Sequence, residues 1–211
     1  MTDGEAGRDK RLKQVRSLLW VLVALALIGV VALIVVPRAQ TASGPAHDHP
    51  VEASLGGPFT LVGADGKPFS SSALAGKPYA IFFGFTRCGD VCPTTLGRLV
   101  KLRKEAGAGD DALNIVFVTI DPKNDGPKEV GQYAELFGSP IIGLTGSEQQ
   151  IAAVKKQYGI YAEPVPHAAA GQEMQHTSTV LLFDREGRLT GTIAGSEGDA
   201  PAIEKLKRLV A

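Results

Sequence analysis

Hydrophobic positions fall into three arrangements along the chain, and each predicts a different element. Residues 17–36, "SLLWVLVALALIGVVALIVV", form an unbroken, uncharged apolar run. No face of the run is polar, which sets it apart from an amphipathic surface helix. At 1.5 Å per residue it spans about 30 Å, the thickness of a bilayer's hydrocarbon core. A single transmembrane helix is expected, and a cleaved signal peptide would have a shorter apolar stretch. Residues 37–56 then lose all periodicity and are rich in Ala, Ser, Gly and Pro, which predicts a flexible tether.

Residues 57–211 carry short apolar runs alternating with segments of helical period. "PFTLVGADGKPFS" (58–70) reads as a hairpin turning at Ala64-Asp65-Gly66. "KPYAIFFGFT" (77–86) and "LNIVFVTID" (113–121) are nearly continuous apolar runs, as strands buried on both faces require. Between them, Leu96, Leu99 and Leu102 recur on one side of a helix that has Pro93 in its first turn. A second helix (127–138) is closed by Gly138, and "PIIGLTG" (140–146) is a third strand. A third helix (147–159) has a Ser147 cap and a Gly159 stop. A hairpin (176–195) turns at Glu186-Gly187, and a last helix (199–211) starts at Asp199. This order predicts an α/β domain with right-handed crossovers. A cysteine pair where the first central strand meets its helix, with a terminal hairpin and helix, points to a thioredoxin-like domain carrying an N-terminal β-hairpin.

Charge changes the picture only at the N-terminus. The chain is neutral, with 22 basic and 22 acidic residues, so no nucleic-acid partner is indicated. Arg8, Lys10, Arg11, Lys13 and Arg16 precede the apolar run, and only Arg38 follows it closely. The positive-inside rule then predicts a cytoplasmic segment (1–16), an anchor (17–36), a tether (37–56) and an extracytoplasmic domain (57–211). Asp3, Glu5 and Asp9 argue against a mitochondrial presequence, which favours a bacterial inner membrane and a periplasmic domain. Thiols tend to be oxidised in that compartment.

The chain's two cysteines, Cys88 and Cys92, lie in "FFGFTRCGDVCP" at the carboxyl end of the first central strand. Open α/β sheets place ligand sites there. The following helix N-terminus and Arg87 are expected to favour thiolates. Thioredoxin-type dithiols have two residues between the cysteines, and this pair has three. On a helical turn the two Cβ atoms would be about 5–6 Å apart, wider than the roughly 3.5–4.5 Å of a disulfide. Such a pair suits an ion held between two sulfurs, which needs a further ligand from elsewhere. His176, opening the last hairpin, is the expected third ligand, because the returning strand should pass near the cysteines. His47 and His49 sit in the tether and His167 in the loop "AEPVPHAAAGQ", where a solvated polar role suffices. Met174 offers a thioether two residues before His176, or simply fills space.

"FFGFTRCGDVCP", "VTIDPKND" and "QHTSTVLLFDREGR" together resemble the signatures of the Sco/SenC family, membrane-anchored copper proteins of respiratory assembly. The resemblance covers about residues 56–209, with three separated motifs in order. It implies that Cys88, Cys92 and His176 ligate copper, as Cu(I), Cu(II) or both. It aligns Asp90 with the acid common between the cysteines and Asp121-Pro122 with the family's "DP", so both acids are expected to support the site. Gly89 departs from a frequent proline, and Lys123 from a frequent arginine. Two thiolates and an imidazole suit Cu(I), while zinc usually wants a fourth ligand.

The implied function is a metallochaperone that passes copper by ligand exchange to an oxidase. The dinuclear copper site of a cytochrome c oxidase subunit is the implied acceptor, with the membrane and a periplasmic copper donor as further partners. The rival is a thiol-disulfide oxidoreductase using Cys88 and Cys92 as a redox pair to reduce the acceptor's cysteines. A peroxidase lacks identifiable peroxide-positioning neighbours. A purely structural disulfide would constrain little unfolded-state entropy over so short a loop.

Overall fold

The computed structural model describes residues 20, 55–170 and 174–211. The predicted anchor, tether and cytoplasmic segment lie outside the described residues except for Trp20, Leu55 and Gly56. Among the described residues no helix is long and apolar enough to cross a membrane.

Seven strands form one sheet: β1 (Thr60–Gly63), β2 (Pro68–Ser70), β3 (Tyr79–Gly84), β4 (Asn114–Thr119), β5 (Ile142–Thr145), β8 (Val180–Phe183) and β9 (Leu189–Ile193). Their order is β2-β1-β5-β4-β3-β8-β9. The centre is parallel, with β3 on β4 and β4 on β5, as strands joined by crossover helices must be. On one side β1 runs antiparallel to β5, and on the other β8 runs antiparallel to β3. The expected α/β architecture, with its N-terminal hairpin, is therefore present. β3 sits at the middle of the core, and all six of its residues are buried.

Four helices follow the predicted order: α1 (Val91–Glu105), α2 (Pro127–Glu135), α3 (Glu148–Gln157) and α4 (Asp199–Val210). α1 packs on α4, and Arg98 Nε donates to Asp199 Oδ1 across them at 2.8 Å. α2 packs on β5 through Gly143, where a Cβ would lie 2.6 Å from the Val130 carbonyl oxygen. α3 starts with a complete capping box between Ser147 and Gln150, as its Ser147 cap predicts. Tyr158, just beyond α3, packs its ring against Phe59, Phe83 and Phe183 and donates its hydroxyl to the Gly57 carbonyl. That bond ties the start of the domain to its core.

The sequence reading is corrected in one region. Residues 162–164, read as loop, form β6 (Ala162–Pro164), which pairs antiparallel with β7 (Met174–His176) in a separate two-stranded ribbon. His176 therefore ends β7 instead of opening the β8–β9 hairpin. The Thr177 amide donates to the Tyr161 carbonyl (2.9 Å), and the Tyr161 amide donates to Thr177 Oγ1 (3.1 Å). Those bonds hold residue 177 to the ribbon, and pairing with β9 starts only at Val180.

Candidate metal centre

Three elements converge on the candidate site. β3 ends at Gly84, and the chain turns through Thr86 and Arg87 to Cys88 before α1 begins after Asp90. Cys88 therefore precedes the helix, and the two cysteines do not share a helical turn. Cys92 lies in the first turn of α1. Its amide, one of the donors a helix start leaves unpaired, points at Cys88 Sγ at 3.4 Å. Both cysteines are free thiols.

His176 completes the cluster from the ribbon. Its ligand atom and the two sulfurs all lie within 4.8 Å of one another. Nε2 is 3.6 Å from Cys92 Sγ, and Nδ1 is 2.9 Å from the Thr177 carbonyl oxygen. A carbonyl only accepts, so Nδ1 carries the proton and Nε2 presents a lone pair to the sulfurs. The ring stands edge-on to Phe82 and Phe85, at centroid distances of 6.2 and 5.9 Å. Burial lowers the pKa of His176, outweighing the Thr177 carbonyl bond, so the imidazole is neutral around pH 7.

The two thiols differ in access. Cys88 is half-buried and lines a cavity of about 430 Å³ with His176, Asp90, Met174 and Val165. Cys92 is fully buried, and desolvation pushes its thiol pKa far up. The expected thiolate is thus corrected for Cys92: removal from water outweighs the partial charge of the helix start. Arg87, expected to add positive charge, is ion-paired at 2.8 Å with Asp121.

Gly84 makes room for the buried sulfur. A Cβ on residue 84 would lie 2.8 Å from Cys92 Sγ, 2.9 Å from Phe82 Cε1 and 3.2 Å from Phe117 Cε2.

The two predicted supporting acids occupy different places. Asp90 is the residue before α1 and lines the cavity beside Cys88; its carboxylate accepts a long 3.4 Å bond from Thr94 Oγ1. Asp121 shapes the turn after β4, accepting from Arg87 and from the Asn124 amide (3.1 and 2.9 Å). His167 adopts a positive φ of 57° in the segment after β6, and His47 and His49 lie outside the described residues.

Two residues that sequence reasoning missed stand behind the cluster. Asp125, the last residue of "DPKND", is fully buried. Its carboxylate accepts from the Thr86 amide (2.9 Å), Thr86 Oγ1 (2.6 Å) and Thr119 Oγ1 (2.7 Å). It thereby fixes the strand ends from which the cysteine turn departs. Tyr133 is buried, and among the described residues its hydroxyl has no hydrogen-bond partner. Burial raises its pKa, and Cys92, Cys88 and Asp125 push it further. A hydrophilic residue at the end of a motif was the available signal for Asp125; nothing in the sequence marks Tyr133.

The chain is similar to known proteins along most of its length. The SCO1/SenC family profile matches residues 47–211. The SCO2-like protein RP587 of Rickettsia prowazekii is 32% identical over 174 residues, covering 80% of this chain and 85% of that one. Yeast mitochondrial SCO2 (Saccharomyces cerevisiae) is 32% identical over 160 residues, 74% of this chain. The chain spans about half the length of that yeast relative (53%). Among solved structures, copper-bound ScoI of Bradyrhizobium japonicum superposes with a TM-score of 0.66 at 36% identity, covering 74% of this chain and 99% of that one.

Proposed function

The chain belongs to the SCO1/SenC family, and from that premise we propose that it binds copper at Cys88, Cys92 and His176 and delivers it to a respiratory oxidase. The observation that carries this reading is the cluster itself: two sulfurs and a correctly oriented imidazole nitrogen within 4.8 Å, beside an open cavity. Soft thiolates with one imidazole select copper among the divalent metals and suit Cu(I). The ion is cargo, held by few ligands so that it can leave.

The residues divide the work. The Thr177 carbonyl holds Nδ1–H and so keeps Nε2 aimed at the ion. Cys92 Sγ lies 3.6 Å from Nε2, so the thiol hydrogen is directed at the same lone pair that an ion would use. Copper takes that proton's place, and the proton leaves to solvent through the cavity. Release proceeds by ligand exchange: an incoming donor from the acceptor enters on the Cys88 side, and the fully buried Cys92 lets go last. The dinuclear copper site of a cytochrome c oxidase subunit is the acceptor in this reading, supplied by a periplasmic donor.

The decisive test compares His176→Ala with Cys88→Ser in cells. Copper delivery needs all three ligands, so both variants should lose oxidase activity, and added copper should partly restore the histidine variant. Thiol-disulfide exchange uses only the sulfurs. A normal histidine variant beside a cysteine variant rescued by external thiol would replace delivery with reduction.

The reading includes residues 17–36 as an anchor in a bacterial inner membrane, with the domain in the periplasm. Its support is the basic segment before the apolar run. A reporter fused after Ala211 should be active only outside the cytoplasm; activity inside would sink this placement.

A further inference from the structure

β7 places Met174 and His176 on the same face, with exposed Gln175 between them. Met174 and His176 both line the cavity that Cys88 opens into, whereas Cys92 is fully buried against Gly84. The site thus has a closed side at Cys92 and an open side where Cys88, His176 and Met174 meet. Met174 is partly buried and packed on the core, so its thioether is held in place beside the cavity. Packing alone would be served equally well by leucine, which has nearly the same volume. What methionine adds at this position is a soft, uncharged sulfur, the donor type that selects Cu(I).

We infer that Met174 supplies a third sulfur to Cu(I) at the mouth of the site, taking up the ion as His176 releases it. The inference rests on the copper reading above. In the step, a bond forms between copper and Met174 Sδ while the bond to His176 Nε2 breaks. Each donor keeps its own electron pair, and copper stays Cu(I). No proton moves, because a thioether carries none and the neutral imidazole departs with its lone pair free. A cysteine in the same position would have to lose a proton on binding and regain it on release. Met174 therefore lets the ion shift toward the cavity without waiting on protonation, while Cys88 and Cys92 still hold it.

The chain has two methionines, Met1 and Met174, so the selenium signal lost on Met174→Leu is that of Met174. The experiment uses the selenomethionine-labelled full chain in detergent, loaded anaerobically with one equivalent of Cu(I). Selenium-edge X-ray absorption on the chain carrying His176→Ala, in which the imidazole has already let go, should show a copper neighbour, and adding Met174→Leu should remove it. Transfer of Cu(I) from Met174→Leu to a small chelator should be slower by about tenfold, the low end of what a supporting group contributes at a metal site. Selenium without a copper neighbour, in a chain that retains its Cu(I), would overturn the role of Met174 and leave the copper reading standing. A chain that retains no Cu(I) would overturn the copper reading itself, and Met174's role with it.

Discussion

Gly84→Ala tests the site through a residue that carries no ligand atom. The new methyl would stand 2.8 Å from Cys92 Sγ and 2.9 Å from Phe82 Cε1. Non-bonded heavy atoms settle at about 3.5–4.0 Å, so the sulfur must retreat by roughly 0.7 Å. The backbone has little room to yield instead. Residue 84 pairs with Thr119 in the parallel centre of the sheet, and its carbonyl accepts from the Ile120 amide at 2.8 Å. A metal site tolerates ligand displacements of about 0.2 Å, so the expected shift exceeds the tolerance more than threefold. Copper affinity should therefore fall about 10- to 100-fold, as when a ligand loses its support. Overpacking should also lower stability by about 1–3 kcal/mol. The assay is titration of the purified chain with Cu(II), following the sulfur-to-copper charge-transfer band, with urea unfolding alongside. Gly97→Ala is the control, because that helical position in α1 has nothing within 4 Å of a new methyl. It should leave the band alone and stabilise the helix by up to about 1 kcal/mol. A folded Gly84→Ala protein with unchanged affinity and band would refute the account of how Cys92 is placed.

Two further outcomes follow from groups around the cluster. Asp125→Ala would strand the Thr86 amide and the Thr86 and Thr119 hydroxyls in the interior, costing about 3 kcal/mol or more; a urea midpoint equal to wild type would count against its structural role. Copper affinity should rise with pH across the neutral range. The buried Cys92 thiol keeps its proton there, so each ion bound releases at least that one, and log K should climb by at least one per pH unit. The depressed His176 pKa adds in the same direction: imidazolium competes with copper only below the ordinary histidine range, where the slope should be steeper still. A pH-independent affinity would show that Cys92 does not bind as thiolate.

The parts of the fold legible in the sequence were those whose burial leaves a linear trace. β3 and β4 read as strands because both faces of each are covered, and Ser147 and Gly159 marked the ends of α3 by local chemistry. The cysteine pair was legible from its place at a strand end, and His176 from the topology that returns the chain past it. β6 was not, because "AEP" has neither alternation nor an apolar run, and only pairing with β7 makes it a strand. Asp125 was invisible for a related reason: a carboxylate reads as surface until its three donors are brought to it from the turn after β3 and from β4. The protonated Cys92 was misjudged because a helix start suggests positive potential, whereas depth in the core decides the outcome. Gly84 did leave a signal in "FFGF", since a glycine inside a buried strand marks a close approach.

His176 belongs to the β6–β7 ribbon, while Cys88 sits in the turn between β3 and α1 and Cys92 in α1 itself. An ion gripped by all three is therefore a stitch between two separately built pieces of chain. Its binding energy goes partly into tethering the ribbon, by about 4 kcal/mol when free copper exceeds the dissociation constant a thousandfold. Forms with and without the ion then differ in how firmly β6 and β7 are fastened, a difference carried on the surface around the cavity. A partner touching that ribbon can sense cargo before exchanging a single ligand, and amide hydrogen exchange along β6 and β7 would record the same tightening.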